Sequence, residues 1–228
     1  MRFCFIVEGR QTEKKVYTAW TRLTFPGYQK RDNLLDLQGD DFFIQVGKGY
    51  PCLLTLLPDT IGILKEHPVV DHLFVCVDAE EEALAERRAR IEQQLAEMKC
   101  PCPFSVIIAN RCIESWFLGH RKMMTHQPDG NSALYPFWQH YDVRSRDPEA
   151  MPKKETFHGT TALYHLKYLQ EMFRAKKLNY TKEFPGETQE EHYFTALVER
   201  QRDTPHLASF GHLIATWRNL GSPRLNST

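Results

Sequence analysis

An α/β fold built on a parallel sheet is what this sequence predicts. Short apolar runs alternate with stretches of helical periodicity through the first half of the chain, and two of those runs end in carboxylates. Alternation of this kind is the pattern of βαβ units. The first run, Phe-Cys-Phe-Ile-Val, has no polar interruption and reads as a strand buried on both faces over Arg2–Val7. It stops at Glu8-Gly9. A helix follows over Glu13–Leu23, where Val16, Ala19, Trp20 and Leu23 recur at helical spacing and Thr12 is the expected N-cap. The second strand is expected over Phe42–Val46. Residues 52–66 form the next helical segment, with Pro58 expected to start, kink or break it.

The third strand is expected over His72–Val77 and ends in Asp78-Ala79-Glu80. Residues 83–98 carry the stripe Leu84, Ile91, Leu95 and Met98, with Arg87, Arg90 and Glu97 at polar positions. Glu81 and Glu82 before it read as solvated first-turn acids. Phe104–Ala109 is the fourth strand and 112–124 the helix after it. Beyond residue 125 the texture changes. Residues 126–158 are proline-rich with little periodicity, and amphipathic helices are expected over Thr160–Lys177, Glu190–Arg202 and Leu207–Leu220. The first of these places Ala162, Leu166, Leu169 and Phe173 on one face. The expected organisation is an α/β domain over 1–125 and a loop-rich connector with a helical subdomain, packed on it, over 126–228.

Composition narrows the function classes. Lys+Arg and Asp+Glu are both 29, so net charge gives no sign of nucleic acid. No apolar run approaches the roughly 18 residues of a membrane span, and the N-terminus has no secretory signal pattern. The cysteines at 4, 52, 76, 100, 102 and 112 lack paired zinc-ligand spacing. Cys4 and Cys76 fall inside strands as inert core residues, and free thiols suit a reducing cytoplasm. Gly47-Lys48-Gly49 lacks the P-loop spacing, and no GxSxG nucleophile elbow occurs. The histidines read as surface or satisfied core residues.

Chemistry concentrates in the acids that end strands. Ligands of open α/β sheets bind beyond the carboxyl ends of the strands. Glu8, Asp78 and Glu80 are therefore the candidate catalytic and metal-holding set, suited to a hard divalent cation such as Mg2+ or Mn2+. Gly9 admits a sharp turn and a phosphate beside Glu8. Glu13 and Glu114 are further candidate ligands, each also a favourable first-turn acid. Residues 151–182 hold seven basic side chains against two acidic, an excess of five, with Tyr164, Tyr168 and Tyr180 interleaved. Lys153, Lys154, Lys176 and Lys177 are the candidate nucleic-acid contacts, and the tyrosines candidate stacking surfaces.

These motifs resemble the Toprim superfamily, whose pattern is a glutamate-glycine pair after the first strand and DxD after a later one. Glu8-Gly9 matches the first, and Asp78-Ala79-Glu80 matches the second with Glu, one methylene longer, in the third place. VEGRQTE at 7–13 and IIANRCIESWFL at 107–118 bring the chain nearer to small stand-alone Toprim proteins, the RloB-like and OLD-nuclease-like groups of phage defence. The resemblance covers about residues 1–120. It implies a Toprim-like parallel sheet and a Mg2+- or Mn2+-dependent nuclease acting on DNA or RNA. It suggests a second-metal role for Glu13. It also implies a defence effector controlled by a partner ATPase. A homo-oligomer is a further expectation. The alternatives are a non-catalytic binding subunit of a defence complex and a primase-like nucleotidyl transferase.

Overall fold

The computed structural model describes residues 1–124 and 126–226. The chain forms two compact units. One comprises Met1–Val77, Glu82–Ile108 and the chain from Ala215 onward. The other comprises Asp78–Glu81 and Ala109–Ile214. The expected domain boundary at residue 125 lies outside the described residues, while Ala109–Met124 belongs to the second unit.

The first unit is built on a five-stranded sheet. In chain order it holds β1 (Arg2–Val7), α1 (Thr12–Thr24), β2 (Gln29–Arg31), β3 (Asp41–Val46), α2 (Cys52–Glu66), β4 (His72–Asp78), α3 (Leu84–Glu97) and β5 (Phe104–Ala109). The strand order is β2-β3-β1-β4-β5. β1 pairs in parallel with β3 (Arg2↔Asp41) and β4 (Phe3↔His72), and β2 with β3 (Gln29↔Asp41). The four strands expected from apolar runs are all present. Their side chains supply the core, where Phe5 stacks on Phe74 with centroids 4.4 Å apart and Phe3 meets Phe25 edge-on. Every residue of β4 is buried, as a strand with neighbours on both sides must be.

Several local expectations are corrected. β2 is three polar residues at the sheet edge, where one neighbour suffices and no apolar run is needed; Arg31 pairs with Asp41 across it at 2.8 Å. Thr12 is not the N-cap of α1. It is the first helical residue, its side chain is buried, and Gln11 takes the cap position without a side-chain bond. Pro58 lies inside α2 without ending it. An interior proline costs about 3 kcal/mol. Leu53, Leu57, Ile61 and Leu64 are each at most 1% exposed, and burial contributes roughly 1.5–3 kcal/mol apiece. Packing outweighs the break. Arg87, expected on a polar face, is buried: its guanidinium lies 4.1 Å over the Tyr50 ring and pairs with Glu82 at 2.8 Å.

The second unit is helical: α4 (Ile113–Phe117), α5 (Tyr135–His140), α6 (Thr161–Ala175), α7 (Glu191–Asp203) and the start of α8 (Ala208–Asn219). The single helix expected over 112–124 is instead the short α4 and a 3-10 turn at Arg121–Met123. Glycine is required just past α4, at Gly119, since a Cβ there would overlap Leu207 and the Trp116 carbonyl. α6 follows the sequence closely, capped by Thr160, whose Oγ1 accepts from Leu163 N at 3.1 Å. The end of the chain returns to the first unit. Trp217 packs on Phe25, and Ser222 Oγ donates to the Thr24 carbonyl ahead of α9 (Pro223–Asn226).

Candidate functional site at the carboxyl edge of the sheet

The strand order places the acids. The order β2-β3-β1-β4-β5 reverses direction at β1: the chain leaves β1 for β2 and β3 on one side and returns past it to β4 and β5 on the other. Open α/β sheets bind ligands at such a topological switch point, at the carboxyl ends of the strands on either side. Glu8 directly follows β1, and Asp78 is the last residue of β4. Val7 pairs with Cys76, and Glu8 N continues the ladder to the Cys76 carbonyl at 3.1 Å.

In the first unit, Glu8 is fixed by the loop that follows β3. Gly47 N bonds the Val7 carbonyl at 2.8 Å, Gly49 N bonds the Glu8 carbonyl at 3.0 Å, and Tyr50 N donates to Glu8 Oε1 at 3.1 Å. The loop turns through left-handed backbone at Lys48 (φ 61°) and Gly49 (φ 93°). The glycine-lysine-glycine segment, which lacks P-loop spacing, thus holds the backbone around Glu8, and Tyr50 just beyond it holds the carboxylate. Gly9 has a related purpose: a Cβ there would overlap the Glu13 carboxylate, so glycine is what lets Glu13 lie against the turn after β1. Burial raises the Cys76 thiol, and the nearby charge of Glu13 adds to the rise.

In the second unit, Asp78 is only 8% exposed. Ala79 N and Glu80 N donate to the carbonyls of Ala109 and Arg111, both at 2.9 Å. Glu80 (φ 53°) and Arg111 (φ 66°) both occupy the left-handed region, and Arg111 Nη1 donates to the Glu80 carbonyl at 3.1 Å. Non-glycine residues held there mark an over-determined turn. Glu81 is exposed, as expected, yet it is tied down, whereas Glu82 is largely shielded from solvent. Glu81 accepts from Thr161 N at 2.8 Å and Oγ1 at 3.3 Å and pairs with Arg111 at 3.6 Å. These bonds, that from Thr161 N first, lower its carboxyl below the usual glutamate range. Glu82, in the first unit, pairs with Arg87 and Arg90.

Glu114 lies in the first turn of α4 and is 1% exposed. Its Oε1 accepts from Tyr180 Oη at 3.1 Å, and its Oε2 is buried without a hydrogen-bond partner. Burial raises the Cys112 thiol strongly, and the charges of Glu114 and Asp78 raise it further, so these acids share one neighbourhood. A buried carboxyl oxygen without a donor calls for a cation or a proton. The donor set therefore fits a hard cation chemically. Among the described residues, however, no three His, Cys, Asp or Glu side chains are gathered as a metal-holding group.

The basic segment differs from its expectation. Tyr164, Tyr168 and Tyr180 are at most 2% exposed and belong to the core, so they cannot stack on bases. Tyr168 Oη bonds the Tyr141 carbonyl at 2.9 Å. Within α6 the alternation is helical periodicity, with Tyr164 and Tyr168 inward and Lys167 outward, whereas Tyr180 lies beyond the helix. Lys153 donates to the Gly159 carbonyl and lines a cavity of about 380 Å3 with Arg111 and Thr161. Lys154 lines a smaller one, about 160 Å3, beside Phe157. Lys176 and Lys177 are exposed beyond the other end of α6. Among the described residues no helix is long and apolar enough to cross a membrane. Compared with family models, curated proteins and solved structures, the chain matches none.

Proposed function

We propose that this chain is a Mg2+- or Mn2+-dependent nuclease, of the Toprim type its motifs resemble. The observation that supports this reading is the placement of Glu8 and Asp78 at the carboxyl ends of β1 and β4, the strands flanking the sheet's switch point. Glu8 and Asp78 would hold the cation, with Glu80 beside them and Glu13 and Glu114 as the source of further ligands. A bound divalent cation supplies charge neutralisation for a phosphodiester and lowers the pKa of water. The chain's own contribution is preparatory. Tyr50 N orients the Glu8 carboxylate, and the Arg111 guanidinium, donating to the Glu80 carbonyl, fixes the turn after Asp78. Gly9 leaves room for Glu13 at the turn after β1. Lys153 and Arg111 offer positive charge to a phosphate. The nucleic acid is DNA or RNA, and the resemblance extends the reading to a defence effector held in check by a partner ATPase.

A non-catalytic binding subunit is the second reading. It is favoured by one observation: the described acids do not form a three-donor group. Cleavage of mixed DNA and RNA pools with Mg2+ or Mn2+ separates the two. Cleavage is expected, with Asp78→Asn reducing turnover roughly 100-fold. Its melting temperature should hold or rise, because removing one of several crowded charges relieves repulsion. Activity retained by Asp78→Asn, or a collapse of its melting temperature, defeats the assignment. Binding without cleavage, unchanged by the substitution, establishes the second reading.

A further inference from the structure

Cys100 and Cys102 lie in the turn between α3 and β5, at the amino end of that strand, whereas Glu8 and Asp78 stand at carboxyl ends of strands. Both are half-buried, while Cys4 and Cys76 are fully buried in strands and Cys52 is exposed and alone. Their Sγ atoms are 4.0 Å apart, and Cys100 Sγ also approaches the Cys102 carbonyl at 3.4 Å. The turn is anchored on both sides. Cys100 N bonds the Leu95 carbonyl at 3.0 Å, and Leu73 N bonds the Pro103 carbonyl at 2.9 Å. Lys99 enters it through left-handed backbone at φ 51°, and Pro101 fixes its own φ between the thiols. Two sulfurs 4.0 Å apart on a braced, bent backbone must close by about 2 Å to reach the ~2.05 Å of a disulfide. A structural zinc site takes four donors, and this turn offers two.

We propose that Cys100 and Cys102 form a redox-active dithiol that exchanges with small-molecule disulfides, a modification site independent of the acidic edge. The hydrogen bond from Cys102 is the main influence lowering the Cys100 thiol to about 7, and the charge of Lys65 helps; Cys102 is raised by the same bond. Cys100 is thus the attacking thiolate and Cys102 the resolving thiol. In the first step the Cys100 thiolate attacks one sulfur of the oxidant RSSR, forming a mixed disulfide and releasing RS−. In the second, Cys102 gives up its proton to solvent and attacks Cys100 Sγ. The Cys100–Cys102 bond forms and a second RS− departs. The protein dithiol loses two electrons, and the oxidant gains them as two thiols.

The test treats the full chain with glutathione disulfide, quenches by alkylation and maps the cysteines by mass spectrometry. Wild type is expected to yield an internal Cys100–Cys102 disulfide that dithiothreitol reverses, with no adduct remaining on Cys100. Cys102→Ser removes the resolving thiol and should trap a glutathione adduct on Cys100. Cys100→Ser should slow reaction at Cys102 at least tenfold. In the wild type, the rate of disulfide formation should fall as pH drops from 7 to 6, following the thiolate fraction. A stable adduct on Cys100 in the wild type, equal rates in the two variants, or reaction at Cys52 with none at Cys100 each overturns the proposal. Circular dichroism on the same samples excludes unfolding as the source of reactivity.

Discussion

At Gly9 a single methyl group decides where Glu13 can lie. A Cβ would overlap the Glu13 carboxylate, which is the far end of a flexible side chain and can swing away at little cost. Gly9→Ala is therefore expected to change stability by less than about 1 kcal/mol. If Glu13 serves the proposed cation, turnover should fall about tenfold, the scale of losing a supporting ligand. Urea unfolding and metal-dependent cleavage on one preparation check both halves, and unchanged turnover removes Glu13 from the site. Single residues also show what a sequence can carry. Glu8 and Asp78 were legible because each ends an apolar run. The Tyr50 grip on Glu8 and the Thr161 grip on Glu81 were not, because they join residues 42 and 80 apart in the chain. Local patterning holds no trace of such pairs.

Among the elements, strands with apolar runs were readable, and β2 was not, since an edge strand of Gln, Lys and Arg has no hydrophobic signature. The start of α8 was readable, expected at Leu207 and found at Ala208, but the acid that holds it was not. Glu149, 5% exposed and distant in sequence, accepts from Ser209 N, Ser209 Oγ and Phe210 N. Ser209 Oγ in turn accepts from Trp116 Nε1 at 2.7 Å and Asn110 N at 3.0 Å. The acid thus supplies the acceptor that the helix's first amides lack. Burial raises the Glu149 carboxyl above the ordinary glutamate value, against the lowering effect of the Ser209 and Phe210 bonds. A raised folded-state pKa gives stability that is complete below the unfolded value and lost as pH rises through the folded one. The stability of wild type relative to Glu149→Gln should therefore shrink as pH climbs from the ordinary glutamate value upward. Glu149→Gln should also cost about 2–4 kcal/mol outright, because an amide presents donors to donors. Urea titrations at several pH values measure both, and a flat difference refutes the linkage.

For the molecule as a whole, a formal charge of zero means that no long-range field recruits nucleic acid, so any attraction must be local. The sequence showed a basic excess over 151–182 and a helix over Thr160–Lys177 between its lysines, and the structure has that helix as α6. At 15 residues, α6 sets its two ends about 22 Å apart. Lys153 and Lys154 precede one end, and Lys176 and Lys177 follow the other, so the four cannot grip one phosphate. Lys153 shares a cavity with Arg111 and Thr161, whereas Lys176 and Lys177 stand exposed to solvent. Salt screens exposed charges more than those lining a cavity. Replacing Lys153 and Lys154 with Gln should therefore weaken nucleic-acid binding more than replacing Lys176 and Lys177. Each phosphate that no longer meets a lysine should flatten the slope of log K against log salt by about 0.9 for duplex DNA or 0.7 for a single strand. Binding isotherms at several salt concentrations decide it. A change in both slopes means that the nucleic acid tracks the length of α6. Two unchanged slopes mean that the basic excess is a solvated helix face, and the polyanion must then meet the protein elsewhere.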